Sequence, residues 1–466
     1  MLMKRTAFLA TSIILLAGAF AAFCSADVSQ NSLQVQEQQL CNLPPSDLTI
    51  VLSATPDGCR LGWVRTYGKQ HFAVIDGKMG PDYNEIGKNS LIFSPDGRRT
   101  AYTARKGNVW SVVIDGQAKG AYDEIVKDTL VFSPDSRRVA YAVKKGNQQY
   151  VVLDGQKEAD YDGIGKGSVR FSPDSSKVVY TAVKNNKQFV VVDGNAGPEF
   201  SKIGNGAPVF SPDGKRVAYI AGQNDKWFAV IDGQPGPKYD GILDNTLKFS
   251  PDSNHFAYGA GKGDKRFVVV DGRAGPEYDR VGRGTLVFSP DGKRLAYAAE
   301  KNGNRFVVVD GQAGPAYDGI AGPVFSPDGK RLAYGAKMGG KWFVITDDRT
   351  KPDYDALDML SAGSLIFSPD GRHLAYGAEI GDRRFVVVDG RPGPEYDGIL
   401  VGLIFSPDSK RLAYGAKKGN QYLVVVDGKV SPDYDGIACG PVFLKDGSLE
   451  FVASKDVSLW RVNEKP

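Results

Sequence analysis

Residues 284–322 read GTLVFSPDGKRLAYAAEKNGNRFVVVDGQAGPAYDGIAG, and most of the chain repeats that stretch with small changes. The Phe of its Phe-Ser-Pro-Asp core recurs at Phe93, Phe132, Phe171, Phe210, Phe249, Phe288, Phe325, Phe367 and Phe405, at spacings of 39, 39, 39, 39, 39, 37, 42 and 38 residues. Weaker copies flank the series at Ala54-Thr55-Pro56-Asp57-Gly58 and Phe443-Leu444-Lys445-Asp446-Gly447. A fixed period of this length marks tandem supersecondary units that bury their apolar faces against one another.

Each unit divides into four short extended segments separated by turn residues. In the quoted copy these are Thr285–Ser289, Arg294–Ala299, Arg305–Asp310 and Ala316–Ile320. Pro290-Asp291-Gly292 closes the first, Lys301-Asn302-Gly303 the second and Gly311-Gln312-Ala313-Gly314-Pro315 the third. Pro presets φ, Asp bonds its own backbone, and Gly accepts positive φ. No unit shows a 3.6-residue apolar period, so the fold is all-β.

The third segment decides how the units assemble. Phe306-Val307-Val308-Val309 is apolar at consecutive positions, as are Phe189–Val192, Phe267–Val270, Phe385–Val388 and Leu423–Val426. Both faces of such a strand need cover. Leaving three Val on water forfeits about 1.5–3 kcal/mol each, too much for a lone four-stranded sheet. Stacking the sheets face to face supplies the cover, and Ala296, Ala333 and Gly335 in the second segments let neighbours approach. Four-stranded units stacked around an axis make a β-propeller. About eleven units are visible. Since rings usually hold four to eight blades, two linker-free propellers, most simply five plus six, are the first expectation; a single large ring comes next and an open spiral last.

Phe288-Ser289-Pro290-Asp291-Gly292-Lys293-Arg294-Leu295-Ala296-Tyr297 resembles the repeat core of TolB-like and other WD-repeat-like propellers of bacteria. The likeness runs in phase from Leu48 to about Val462. It departs from TolB in the number of units and in having no separate domain ahead of them. What the resemblance implies is the propeller fold and a binding role in an export compartment, without naming a partner.

The ends and the composition narrow the function. Lys4 and Arg5, the uncharged apolar run Ala7–Phe23 and the small residues Cys24-Ser25-Ala26 form a signal peptide over residues 1–26. Phe23 stands where lipidation of Cys24 would want a small residue. The protein is therefore expected to be exported, periplasmic or secreted. Residues 27–47 form an amino-terminal segment and 48–466 the propeller repeats. Beyond the signal no stretch approaches the ~20 apolar residues of a membrane span. Removing it leaves 56 basic against 54 acidic residues, interleaved throughout. That balance argues against nucleic acid as a partner.

The candidate chemistry is mostly periodic. His255 and His373 fill the slot held elsewhere by Arg99, Arg138, Arg216, Arg294, Arg331 and Arg411, and His71 stands where other units carry Arg before the third segment. They read as variants of basic positions rather than catalytic groups, which need a nucleophile and a carboxylate beside them. The aspartates Asp96, Asp135, Asp213, Asp291 and Asp328, and Asp115, Asp193, Asp271, Asp310 and Asp389, have turn roles. Their spacing does not match a calcium loop, and neither metal nor cofactor is expected. An aromatic column (Trp110, Trp227, Phe267, Phe306, Trp342, Phe385, Tyr422) reads as core packing. The Tyr-Asp column of Tyr122, Tyr161, Tyr239, Tyr278, Tyr317, Tyr396 and Tyr434 suits packing and ligand contact equally. The Arg column is the one periodic feature with a binding reading, a belt facing a polyanion or acidic protein, set against pairing with nearby Asp.

The function expected is a non-enzymatic scaffold that binds a protein or a cell-envelope polymer; the rival is a lyase or hydrolase acting on polysaccharide or peptide. Ser32–Leu40, with Leu33 and Val35 at strand spacing, is placed to supply the fourth strand that the last unit lacks. A Cys41–Cys439 disulfide is expected to accompany that closure, with Cys59 left over.

Overall fold

The computed structural model describes residues 33–42, 53–54, 60–204, 206–346, 349–350, 353–357, 365–400, 402–456 and 458–465. The signal peptide, Cys24, Cys59 and half of the irregular stretch at Thr346–Ser361 lie outside them. Among the described residues every regular element is a strand, and they form eleven separate antiparallel sheets of four or five strands.

Blade 4 shows how the repeat folds. Val178–Lys184 and Lys187–Val192 are its second and third strands, in full register from Val179↔Val192 to Lys184↔Lys187. The inner strand comes in two halves, Gly163–Ile164 and Arg170–Phe171, both paired to Val178–Lys184. Between them the chain loops out at Gly165. A Cβ there would sit 2.0 Å from Thr181 Oγ1, so only glycine lets the loop close onto the strand. The third strand turns at Asp193-Gly194 with φ of 51° and 75°. Positive φ at both central residues is the tight hairpin geometry that suits the twist of paired strands.

The fourth segment needs correcting. Gln312–Ala313, expected as turn, is the outer strand and pairs with Val308–Val309. Tyr317 adds only a single bridge to Arg305. Gly319–Phe325 has already crossed to become the inner strand of the next blade. The Asp318-Gly319-Ile320 ending therefore belongs to the next blade's sheet, which segment lengths alone do not reveal.

The blades form one ring, not two. Eleven buried clusters occur, and each joins one blade to the next: Val151 and Ala140 of blade 3 meet Tyr161, Tyr180 and Val191 of blade 4, and so on around the chain. One of them places Leu61, Trp63 and Val74 of blade 1 against Val452 and Leu459 of blade 11. A pair of rings would need two such closures and one missing interface; every successive interface is present. The expectation of two propellers rested on usual blade numbers, which this chain exceeds because its interfaces are nearly identical and admit one more wedge at small angular cost.

Closure is made by a strand from the amino-terminal side. Val35–Asn42 runs antiparallel to Ser458–Glu464, pairing from Val35↔Glu464 to Asn42↔Ser458, and completes the four-stranded last blade. Leu33 ahead of it is 5% exposed and packs on Val424, Val426, Tyr434 and Phe451. The Tyr434 hydroxyl donates to Glu37 Oε1 at 2.7 Å. No disulfide assists. Cys41 lies opposite Leu459 on the outermost strand and Cys439 opposite Val452 on the innermost. With two strands between them their Cα atoms are about 14 Å apart at normal strand spacing, twice the reach of a bridge. Cys439 is a free thiol, its pKa raised by burial. Both cysteines do fall in one blade as the closure requires, but at opposite edges of it.

Candidate functional site

The Arg column is a set of clasps between blades. Arg138 shows the pattern: Nε donates to Asp154 Oδ2 at 2.9 Å, and Nη1 donates to the Ser175 and Ser176 carbonyls of the next blade at 3.2 and 3.0 Å. Its guanidinium lies 5.5 Å from the Phe171 ring centroid, again in the next blade. Arg99, Arg216, Arg294 and Arg411 pair in the same way with Asp115, Asp232, Asp310 and Asp427. They cover Phe132, Phe249, Phe325 and Phe443. Arg331 covers Phe367 and reaches Thr346, which stands in the slot of Val309; Asp347, at the aspartate slot, lies outside the described residues. These side chains hold the ring together; the pairing alternative weighed against the belt describes their geometry.

The other periodic groups have equally local duties. Asp154 turns the hairpin and accepts the Val139 amide as well as Arg138. Ser133 donates to Asp135 Oδ1 and accepts the Arg138 amide. The carboxylates of this turn, Asp96, Asp135, Asp213, Asp291 and Asp328 among them, are held below the usual carboxylate range chiefly by that serine bond. Asp123, Asp162 and Asp279 cap the hairpin of the following blade through the amides of Gly146, Asn185 and Asn302. His255 and His373 each bond an aspartate, Asp271 and Asp389, at 2.7 Å, and His71 bonds Thr66 at 3.0 Å.

The Tyr column resolves to packing. Tyr161, Tyr239, Tyr278, Tyr396 and Tyr434 are 2–7% exposed, and Tyr161, Tyr239, Tyr278 and Tyr396 meet a second-strand tyrosine of the next blade edge-on, as Tyr161 does Tyr180 at 6.1 Å. The aromatic column is two columns. Phe267, Phe306 and Phe385 share a register with buried Val, whereas Trp110, Trp227, Trp342 and Tyr422 stand one residue earlier, opposite Arg105, Gly222, Lys337 and Lys417. A shift of one residue turns a strand side chain to the other face. Three of these four carry a cation from the second strand over the ring.

What the repeats do not absorb sits on the channel wall. Inner strands lie nearest the axis, and neighbouring inner strands approach one another. The loops between their halves carry Lys88, Lys127, Lys166 and Arg283 at one shared slot of blades 2, 3, 4 and 7, all exposed. Successive loops touch: the Gly167 amide donates to the Lys127 carbonyl at 3.1 Å. Arg170 adds a fifth cation, its Nη1 donating to the Val169 carbonyl at 2.8 Å. None of the five makes an ion pair among the described residues. Asp128 and Asp244 are the acids of the same loops. In blades 8, 10 and 11 the equivalent loops shorten to Ala321-Gly322, Leu400–Gly402 and Ala438–Gly440. The channel thus has a basic arc over blades 2–4, and short uncharged loops in blades 8, 10 and 11.

Beside the basic arc a cavity of about 600 Å³ opens between blades 4, 5 and 6, lined by Phe171, Pro208, Ile220, Trp227, Leu243 and Leu247 with Arg170 and Asp244 at its polar edge. Its cause is local. Other blades place a hydroxyl and a buried aliphatic here, such as Thr129, which donates to the Val126 carbonyl and accepts the Ala142 amide, or Leu286 at 1% exposure. Blade 5 has Ala207-Pro208 instead, and both fillers are missing. Sequence reasoning passed over this place, although the break in the Ser/Thr-Leu pattern was readable.

Comparison with known proteins yields distant structural likenesses. No family model and no curated protein matches the chain. Among solved structures, a eukaryotic initiation factor aligns at 14% identity and TM-score 0.38 over 68% of this chain and 91% of that one. TolB from Acinetobacter baumannii aligns at 18% and 0.24 over 56% and 78%, and the Dos1 propeller at 14% and 0.32 over 68% and 95%. The particular repeat family suggested by the sequence is not established by these values.

Proposed function

We propose that the protein is an exported, non-enzymatic ring scaffold whose channel wall receives an acidic partner, either an acidic protein segment or an anionic cell-envelope polymer. The carrying observation is the run of cations Lys88, Lys127 and Lys166, without an ion pair among the described residues, at one slot of three successive blades, in a molecule whose periodic arginines and aspartates are tied into turns and clasps. Cations at a shared height with touching loops present a continuous track to a flexible polyanion. Such a track favours a partner whose binding weakens with salt. The channel, rather than the Arg belt, is the surface free to bind.

The basic start, apolar run and small residues of 1–26 support export. Detection of a mature chain beginning at Asp27 outside the cytoplasm checks that part. For binding, polyglutamate and a polyphosphate-backbone polymer serve as probes in titration calorimetry. The expected result is saturable, salt-sensitive binding that the triple variant Lys88→Glu/Lys127→Glu/Lys166→Glu abolishes while its melting temperature stays near wild type. Equal binding by the variant refutes the channel track. Turnover of a glycan or peptide substrate by the purified protein would favour the enzymatic rival.

A further inference from the structure

His255 leaves a clasp half built. In other units the arginine at this slot lies across the next blade's phenylalanine, and Arg60, Arg99, Arg138 and Arg331 also donate to two carbonyls of the next blade's turn, as Arg138 does with Phe171, Ser175 and Ser176. Counting the same intervals from His255 reaches Phe288, Gly292 and Lys293. All three line a cavity of about 630 Å³, whose wall also holds His255 and the aspartate Asp271. The imidazole reproduces only the first part of the clasp, the 2.7 Å contact with Asp271. It is too short to span to the next blade. At the other histidine, His373, the ring stacks on Phe405 at 6.5 Å and covers the aromatic face itself.

We propose that this cavity on the outer part of the blade 6–blade 7 interface is a guanidinium socket that takes an arginine side chain from a partner polypeptide. The donor set is the one this chain uses for its own arginines: a carboxylate, a pair of turn carbonyls and an aromatic face. That combination suits a planar, delocalised cation with several N–H groups better than a compact ammonium. The socket is open to an incoming chain, with the His255 side chain 46% exposed.

The charged groups around it are Asp271, Asp310, Arg273, Lys293 and Arg294. Arg294 is held by Asp310 in its own clasp. A basic residue at the Lys293 position also borders the filled clasp of Arg99, where Arg137 stands, and does not prevent occupancy there. Arg273 stands where Gln117, Gln156, Gln234 and Gln312 do in other blades, a slot that Arg391 also fills in the blade of His373. It sits at the mouth as a competitor for the same carboxylate.

The test is binding of an acetylated, amidated arginine tripeptide and of its lysine counterpart to the full chain, followed by amide chemical shifts around Phe288–Arg294. The arginine peptide is expected to bind saturably and about tenfold more tightly than the lysine one. His255→Arg fills the socket from within and should abolish binding while raising the melting temperature. Arg273→Gln should tighten binding severalfold, and His255→Ala should retain it. The proposal falls if wild type shows no arginine preference, or if His255→Arg binds the peptide as well as wild type does. This socket and the channel track lie on different parts of the blade, so either can fail without the other.

Discussion

Leu33→Ala is the sharpest probe of how the ring is closed. Leu33 is 5% exposed, in a cluster with Val424, Val426, Tyr434, Leu449 and Phe451, and its amide donates to the Val430 carbonyl at 2.7 Å. The backbone bond survives the substitution; the side-chain packing does not. Buried Leu→Ala changes cost about 2–5 kcal/mol, and a residue at the start of a strand, where neighbours can collapse, belongs near 2–3. Blades contact only their neighbours, so the loss should be felt where Val35–Asn42 holds Ser458–Glu464 and not throughout the ring. Hydrogen exchange read by fragment mass spectrometry measures this. Amides of 458–464 should exchange about 30- to 150-fold faster, while those of Val178–Lys184 in blade 4 keep their wild-type rates. Unchanged exchange at 458–464, or an equal acceleration in all blades, would refute the closure argument.

Arg138→Ala removes an aromatic contact, two bonds to the next blade and a partly screened ion pair, and should lower stability by about 1–2 kcal/mol in urea unfolding. Arg138→Lys should recover less than half, since one ammonium cannot pair with Asp154 and lie across Phe171 together. Tyr180 donates to Glu158 at 2.7 Å, whereas the buried Tyr219 hydroxyl has no partner among the described residues and faces Phe200 where other units have Tyr; burial pushes its pKa up to about 12. Tyr180→Phe should therefore cost ~1 kcal/mol and Tyr219→Phe be neutral or stabilising in thermal unfolding. Acid titration followed by circular dichroism should show stability falling from pH 3.8 downward and still falling near pH 2, the range between an ordinary aspartate and Asp174, which the Ser172 hydroxyl holds down at about 2. The sign follows from the direction: the turn carboxylates titrate lower when folded, so they stabilise above their unfolded pKa and lose that contribution as pH drops through the folded one. Flat stability down to pH 2 would contradict it.

The repeat made most of the fold legible before any coordinates. Consecutive apolar residues such as Phe306–Val309 require cover on both faces, and Val307 and Val308 are indeed 3% and 0% exposed. The strand role of Ser32–Leu40 was open to the same reasoning, because the last unit visibly lacks a fourth segment. Ring number was not, since nothing in one interface encodes the sum of eleven small rotations. The outer strand was misplaced because Gln312–Ala313 has turn composition yet pairs through backbone groups alone. Among candidate residues, periodicity read Asp and His as turn and basic positions but could not separate a belt from a clasp; that distinction lies in offsets between blades, where Arg138 meets Ser175 and Phe171. The informative positions are the dropouts. Ala207-Pro208 omits the filler of one inner wall and opens a cavity; His255 omits the guanidinium of one clasp and opens another. In a chain where every unit repeats the same interactions, a missing one leaves a space already shaped for the group that used to fill it. The chemistry of the absent residue is then the best guide to the ligand.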